Sequence, residues 1–285
     1  MEQPQGASVV PSADGSGTQS IGRAVALLRL VGAGHDRGAS LGDLVERSGL
    51  SKPTCRRILV ALIEGGLLEQ DPVSRRYFLG PETSVLGAIA AERFGLHRLA
   101  QDAVLRLARN TGDAAFFQIR REWSVVCLQR EDGAYPIRSH VLAPGDRHPL
   151  GAGAGGLAIL AALDDAEVEA AIEANTAWLA RDYPMLTPPL LRDLVGETRR
   201  RGYSMNRGLL FPGSWGMGVA VHDGQARAVA CLSLACVESR LQPDREADLA
   251  RTLMGEVRAL ERRLHDIGGA SPQAGRARRF AGAAR

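Results

Sequence analysis

A run of polar and basic side chains near the N-terminus has the composition and spacing of a surface that binds phosphates and base edges. From residue 54 onward apolar residues recur at helical spacing, so the cationic side chains lie on the opposite face of the same helix. Such side chains, and hydroxyls, donate hydrogen bonds to phosphates and to bases in the major groove. The candidates are Ser51, Lys52, Thr54, Arg56 and Arg57, with Arg75 and Arg76 further along the chain.

The order of the cations along this helix indicates different roles for them. Lys52 and Arg56 lie in the first turns of the polar face, so we expect them to contact base edges. For Arg57 two roles stay open. It contacts a phosphate, or it pairs with an acid such as Glu46 and so holds two helices together.

Two short helices joined by a tight turn must position these side chains. Gly49 ends the first helix, because glycine adopts a positive φ freely, and Pro53 suits the first turn of the second. Ser51 is expected to cap the second helix, and Ser51 and Thr54 to contact phosphate or base edges. A helix over 21–31 should pack behind them. This pattern is typical of a helix-turn-helix, whose second helix enters the major groove; a helical hairpin with a solvated basic face is the alternative.

Two short strands after the second helix predict a wing. They cover 67–69 and 77–80, and the turn between them spans 71–76. Arg75 and Arg76 in this turn are expected to contact the DNA backbone or the minor groove. The sequence thus predicts double-stranded operator DNA as a partner.

A second candidate site is the stretch of small residues from Gly151 to Gly156, which leads into an alanine-rich helix. Small residues leave backbone N–H groups approachable, and a helix N-terminus favours negative charge. The stretch therefore predicts an anion site suited to a carboxylate. Close packing of the helix against a sheet explains the same composition, and both explanations stay open.

Cysteine and histidine side chains offer a third kind of chemistry, as nucleophile, base or metal ligands. The sequence has no HExxH, GxSxG or paired-cysteine motif, so we expect no catalytic residue, no metal and no cofactor. An enzyme and a structural metal site in the second domain are the weaker alternatives. The residues concerned are Cys127, Cys231, His140, His148 and His222.

Between the wing and the second domain we expect a linker helix over about 82–93 and a second helix over about 96–110. Apolar residues at Val85, Leu86, Ile89 and Phe94 form a stripe along the first of these. A second copy of the chain is the expected partner of this stripe, which predicts a dimer. The alternative is that the stripe packs onto its own domain.

The remainder of the chain predicts an α+β domain with a mostly antiparallel sheet. Strands come before and after a central group of helices. The expected strands are 115–121, 123–130, 135–142, 216–222 and 226–236. The stretch 149–157 leads into an expected helix that ends near 163, and further helices are expected over about 165–174, 188–201 and 242–265.

Length and composition indicate the class of protein and the number of its domains. The 285 residues are 45% hydrophobic with a net charge of +3, an ordinary globular composition of about two domains. No stretch is apolar over the roughly 20 residues that span a bilayer, and no secretory signal is evident. We therefore expect a cytoplasmic protein without membrane contact. The tails, 1–19 and the basic 267–285, are expected to be disordered.

From about residue 20 to residue 264 the chain resembles the IclR family of bacterial transcription regulators. The resemblance implies a winged helix and a C-terminal GAF-like effector domain. It also implies dimers, often paired into tetramers, on a pseudo-palindromic operator, and small metabolites, often organic or aromatic acids, as effectors. The stretches that carry it are 21–24, 50–59, 76–80, 149–160 and the late block from 202–204 through 212–213 to 230–234.

The resemblance also implies which positions hold the effector. Two act through the backbone, one lies in the loop after Tyr203, and three lie on the last strands. These positions are Ala154, Gly155, Asn206, Ala220, Ser233 and Ala235. From their place in the sequence, Trp215 and Met217 form an apolar wall of the pocket or belong to the core.

Two departures from the family pattern affect the predicted ligand. The loop over 206–210, usually acidic in the family, reads Asn-Arg-Gly-Leu-Leu, and Ala235 stands where serine is common. The pocket should therefore be less polar and suit a larger, partly apolar acid. The sequence predicts a DNA-binding regulator that such an effector controls. The alternative is a regulator whose second domain serves only for oligomerisation.

Overall fold

The computed structural model describes residues 18–93, 96–137 and 142–269, and the chain divides between Gly95 and Leu96 into two units. The tails expected to be disordered fall outside the described residues except at their inner ends. There the expectation is wrong, because residues 18–19 begin a helix and residues 267–269 end one.

Helices and a small hairpin make up the first unit. Leu27, Leu44 and Leu59, one from each of the first three helices, are fully buried together. The predicted winged helix-turn-helix is thereby confirmed. Its elements are α1 (Thr18–Gly32), α2 (Leu41–Ser48), α3 (Lys52–Glu64), β1 (Leu68–Gln70), β2 (Tyr77–Leu79) and α4 (Pro81–Arg93).

The turn between α2 and α3 follows the sequence pattern, with one exception. Gly49 has a φ of 66°, the left-handed conformation that glycine favours, and Pro53 lies in the first turn of α3. The capping role expected of Ser51 is wrong. It occupies the N-cap position, but its Oγ donates to Thr54 Oγ1 at 2.9 Å instead of accepting a backbone hydrogen. Pro53 contributes to this, because it has no N–H to offer.

The second unit is built on a six-stranded sheet in the order β5-β4-β3-β8-β7-β6, and every neighbouring pair is antiparallel. This confirms the mixed helix and antiparallel-sheet class. Its elements are α5 (Leu96–Thr111), β3 (Ala114–Arg121), β4 (Ser124–Glu131), β5 (Arg147–Pro149), α6 (Gly153–Ala161), α7 (Asp165–Asp182), α8 (Pro188–Arg201), β6 (Ser204–Arg207), β7 (Ser214–His222), β8 (Ala228–Val237) and α9 (Pro243–Gly269).

Each face of this sheet buries its own apolar cluster. Phe117 and Met217 pack against α5 and α9 on one face. Cys231 lies on the other face with residues of α6, α7 and α8, among them Leu157 and Leu191. Alternate residues along each strand thus serve different faces. Helix α6 packs mainly against β6, β7 and β8.

Three secondary-structure predictions in this unit need correction. The strand expected over 135–142 is wrong at residues 135–137, and residues 138–141 lie outside the described residues. The Tyr135 ring lies under the Arg240 guanidinium, 3.9 Å from centroid to Cζ, and β5 pairs with β4 instead. Asn206 belongs to β6 rather than to a loop. Helix α7 runs eight residues beyond the expected end at 174, to Asp182.

Candidate nucleic-acid interface and effector pocket

The polar face of α3 presents its cations to solvent. Lys52, Arg56 and Arg57 are exposed, whereas Cys55 and Leu59 on the other side are buried in the core of the unit. None of the three cations forms an ion pair within the described part of the chain. The pairing of Arg57 with Glu46 is therefore absent there, which leaves the guanidinium available for a phosphate.

The wing turn holds Arg75 in a fixed backbone conformation. The Asp71 carboxylate accepts hydrogen bonds from the backbone N–H and the hydroxyl of Ser74, both at 2.6 Å. The Gln70 amide donates to the Arg75 carbonyl at 2.9 Å, and Arg75 has a positive φ of 58°. Its side chain is exposed, so this hydrogen-bonded turn presents a guanidinium that has no ion pair among the described residues.

Arg76 has partners inside the unit that sequence reasoning missed. Its Nε donates to the Arg37 carbonyl at 2.7 Å and its Nη2 to the Gly38 carbonyl at 3.3 Å. The guanidinium also lies 3.7 Å from the Asp43 carboxylate, in the first turn of α2. Arg76 therefore ties the wing to the start of the helix-turn-helix, and its contact with DNA stays a prediction.

A cavity of about 50 Å³ lies between the first residues of α6 and the strands β3, β7 and β8. Since one buried water needs roughly 10–15 Å³ on this scale, the space suits a few waters in the present conformation. Six predicted positions border it: Ala154, Gly155, Asn206, Trp215, Ser233 and Ala235. The lining residues that the sequence did not single out for the effector are Phe116, Gln118, Leu142, His148, Ala152, Gly153, Leu210, Ser214, Gly216 and Leu234.

The structure does not bring Met217 and Ala220 to this cavity. Met217 is completely buried in the cluster beneath α5 and α9, so of its two predicted roles the structure shows core. Ala220 lies further along β7, in the cluster with α6 and α8. Trp215 borders the cavity, but its side chain packs against the α9 side and its ring lies 5.6 Å from the Arg207 guanidinium.

Close helix–sheet packing accounts for the glycines of α6 and β7. A Cβ added at Gly155 would lie 2.6 Å from Gln118 Oε1 and 2.7 Å from Cys231 Sγ, and one at Gly218 would lie 2.6 Å from the Ala154 carbonyl oxygen. The same approach places the first residues of α6 at the cavity, and no side chain caps this helix. The two explanations offered for the small residues are therefore compatible.

Five polar side chains complete the lining or support it. Gln118 Nε2 donates to Ser233 Oγ at 3.0 Å, and Asn206 Oδ1 accepts from the Leu209 N–H at 2.9 Å. His148 Nδ1 lies 2.7 Å from the Tyr183 hydroxyl oxygen. Burial lowers the pKa of His148 from its ordinary value, so the imidazole is neutral at pH 7.

Two of these residues, Gln118 and His148, are not predicted from sequence to line the cavity, although each has a feature that could have drawn attention to it. Gln118 is the polar residue in the middle of the apolar strand β3 and is buried. His148 was considered only as a catalytic or metal-binding group. Strand pairing brings it beside the cavity from β5, which sequence reasoning did not predict.

Comparison with known proteins decides the family. Residues 20–72 match the IclR helix-turn-helix domain, and residues 88–262 match the family described as bacterial transcriptional regulator IclR C-terminal. The chain belongs to the IclR family of bacterial transcriptional regulators. It is thus a DNA-binding regulator, as its winged helix-turn-helix predicted.

Individual relatives of this regulator agree with that placement. The glycerol operon regulatory protein of Streptomyces griseus is 31% identical over 79% of this chain and 87% of its own length. The IclR regulator of Alicyclobacillus acidocaldarius superimposes with a TM-score of 0.72 at 26% identity, covering 85% of this chain and 97% of that one.

A third relative was solved with a bound acid. An IclR homologue of Microbacterium hydrocarbonoxydans, in complex with 4-hydroxybenzoate, has a TM-score of 0.70 at 20% identity, and 87% of this chain and 99% of that one are covered. At this identity the likeness shows the fold.

Within the described ranges of our chain, no helix combines the length and the apolar character needed to cross a membrane.

Proposed function

We propose that this regulator binds a pseudo-palindromic operator as a dimer or tetramer in the cytoplasm, and that an organic or aromatic acid in the C-terminal cavity changes its affinity for DNA. Residues 20–80 form the DNA-binding domain, 81–95 the linker and 96–266 the effector domain. The observation that carries the effector part is the uncapped N-terminus of α6, which opens on a cavity.

On DNA, α3 enters the major groove with its N-terminal residues toward the bases. Lys52 and Arg56 contact base edges, and Arg57 contacts a phosphate, which its lack of an ion pair within the described residues supports. Ser51 and Thr54 lie at the same end of the helix and contact phosphate or bases. At the wing, Arg75 and Arg76 contact the backbone or the minor groove, with Arg75 having the freer side chain.

A second copy of the chain covers the exposed stripe on α4. Val85, Leu86 and Ile89 are 49%, 51% and 62% exposed, although all three are large apolar side chains. A dimer that pairs α4 helices would bury this stripe and place two α3 helices on half-sites about one DNA turn apart. Phe94, the fourth residue of the predicted stripe, lies outside the described residues.

The effector binds with its carboxylate toward the N–H groups of Gly153, Ala154 and Gly155, which have no acceptor within α6 itself. Phe116 and Leu210 supply apolar surface. A ring-sized acid is larger than the present cavity, so its binding must move the walls. A ligand that fits one arrangement better than another shifts the balance between them.

The experiment is a selection of operator DNA from a random pool with the purified protein, followed by fluorescence titration at two salt concentrations. Arg56→Ala should weaken binding by about 1–3 kcal/mol and relax specificity, and Arg57→Ala should reduce the salt slope by about 1. Arg200→Ala, an exposed arginine of α8 in the other unit, is the matched control. If both α3 variants bind like the control, the assignment of α3 to the groove is wrong.

Adding acids to the same titration distinguishes the effector proposal from its rival, in which the second domain serves only for oligomerisation. A metabolite that alters operator affinity supports the effector proposal. If none of the added acids shifts either Tm or operator affinity, the rival is favoured.

A further inference from the structure

One nitrogen of His148 is buried beside the cavity without a partner. Nε2 has no hydrogen-bond partner in the described structure and almost no contact with solvent. His148 is also among the residues that line the cavity. A buried polar atom in this condition is destabilising, so an unpartnered nitrogen at a cavity wall is a position where a ligand atom can supply the missing bond.

The contact with Tyr183 determines what this nitrogen offers. Tyr183 is buried, and its hydroxyl hydrogen needs an acceptor. Among the described residues His148 Nδ1, at 2.7 Å, is the acceptor that it finds. When the tyrosine donates to Nδ1, the proton of the neutral imidazole must be on Nε2. His148, a residue of the cavity lining, therefore carries its hydrogen-bond donor on the unpartnered nitrogen.

The other polar groups of the lining are also donors. Asn206 Oδ1 is already occupied by the Leu209 N–H, which leaves the amide Nδ2 free. Ser233 Oγ accepts from Gln118 and retains its own hydrogen. Of the residues described here, those lining the cavity include no Asp, Glu, Lys or Arg. The described lining thus offers several uncharged donors, and Gln118 Oε1 is an acceptor beside them.

The charged groups around His148 do not change this assignment. Asp146 and Asp182 raise the pKa of its imidazole, but burial lowers it by more. Arg147 precedes it on β5, and Val125 is its neighbour across the strand pair with β4. The ring is therefore uncharged at neutral pH and acts as a donor rather than as a counter-ion.

We propose that His148, held as the Nε2–H tautomer by Tyr183, donates a hydrogen bond to an oxygen of the effector. A carboxylate accepts this bond more strongly than an amide carbonyl does, so the contact favours a carboxylic acid over a neutral amide of the same shape. This inference rests on the proposed effector function of the cavity. His148 is a specificity-determining residue, and Tyr183 is the positioning residue behind it.

The test measures binding of benzoate, 4-hydroxybenzoate and pyruvate to the full chain by calorimetry and thermal shift, with benzamide as the neutral counterpart of benzoate. His148→Leu should weaken the best acid about 10- to 100-fold, as expected for a lost hydrogen bond to a charged group. His148→Gln retains an N–H donor and should recover most of that loss. His265→Leu, an exposed histidine of α9, is the matched control.

Tyr183→Phe provides a measurement that would not change if His148 only filled space in the core. It keeps the ring but removes the hydroxyl, so the imidazole loses the group that fixes its tautomer. Nitrogen NMR of the histidine ring at pH 7 should show the Nε2–H form in the wild type and a mixture in Tyr183→Phe, with acid binding weakened several-fold.

Three results would overturn the inference: no acid of the panel binds, benzamide binds as tightly as benzoate, or His148→Leu binds acid like the wild type. Operator binding is measured on the same preparations. If it stays sequence-specific while one of these results is found, the inference fails and the DNA-binding proposal stands. Loss of specific DNA binding by the wild type would instead count against the proposed function.

Discussion

A methyl group added at Gly155 tests the close approach of α6 to the sheet in the second unit. Gly155→Ala places a Cβ 2.6 Å from Gln118 Oε1 and 2.7 Å from Cys231 Sγ. Real Cβ atoms do not come this close to other heavy atoms, so α6, β3 or β8 must shift. Gln118 cannot simply swing away, because its amide is bonded to Ser233 and buried.

Two opposing effects set the magnitude. Overpacking a well-filled core costs about 1–3 kcal/mol. Alanine in place of glycine inside a helix stabilises it by roughly 0.5–1 kcal/mol. We therefore expect Gly155→Ala to lower the free energy of unfolding by about 1–2 kcal/mol, which lowers Tm by roughly 2–8 °C for a unit of this size.

Gly255→Ala is the matched control. Gly255 also lies inside a helix, α9, but a Cβ there meets no atom within 4 Å. The control should gain up to about 1 kcal/mol, since only the helix propensity changes. Urea unfolding followed by circular dichroism gives both values, and acid binding to Gly155→Ala should fall because the Gln118–Ser233 wall moves. If Gly155→Ala is stabilised as much as Gly255→Ala, the packing of α6 on the sheet is not as tight as described.

Three further predictions concern other parts of the chain. Asp113→Ala should lower the free energy of unfolding by about 3–5 kcal/mol, because its buried carboxylate pairs with Arg240 at 2.7 Å and Arg245 at 2.6 Å. An unchanged midpoint of urea unfolding would contradict this. The Glu261 carboxylate raises the pKa of His222, so this pair stabilises the fold fully below about pH 6.5 and less as pH rises through the raised pKa. The Tm difference between wild type and His222→Gln should thus shrink from pH 6 to pH 9, and a constant difference would exclude the linkage. Ile89→Glu should shift the oligomer toward monomer in analytical ultracentrifugation, whereas Val73→Glu, an exposed apolar residue of the wing, should not.

The helix-turn-helix was predictable because its determinants are local. Gly49 and Pro53 fix the turn and the start of α3 through their own backbone preferences, and the apolar spacing of α3 decides which side faces solvent. The capping role of Ser51 failed for an equally local reason, since the next residue but one is a proline and the hydroxyl bonds to Thr54 instead.

The cavity was predictable only in part, because distant segments build it. Gln118 and Ser233 are 115 residues apart in sequence and meet through the pairing of β3 with β8. His148 reaches the cavity from β5, a strand of three residues that leaves no periodicity to detect. The strand expected at Tyr135 failed because the Arg240 guanidinium, over a hundred positions away, holds that ring.

The central claim is that a ligand in the second unit controls how the first unit binds DNA. The direct measurement is a fluorescence anisotropy titration of the selected operator, with and without a saturating acid from the panel. We expect operator affinity to change by about 5- to 150-fold, the usual range of allosteric coupling, at unchanged sequence preference. Binding curves that coincide, with the acid shown by calorimetry to be bound, would contradict it.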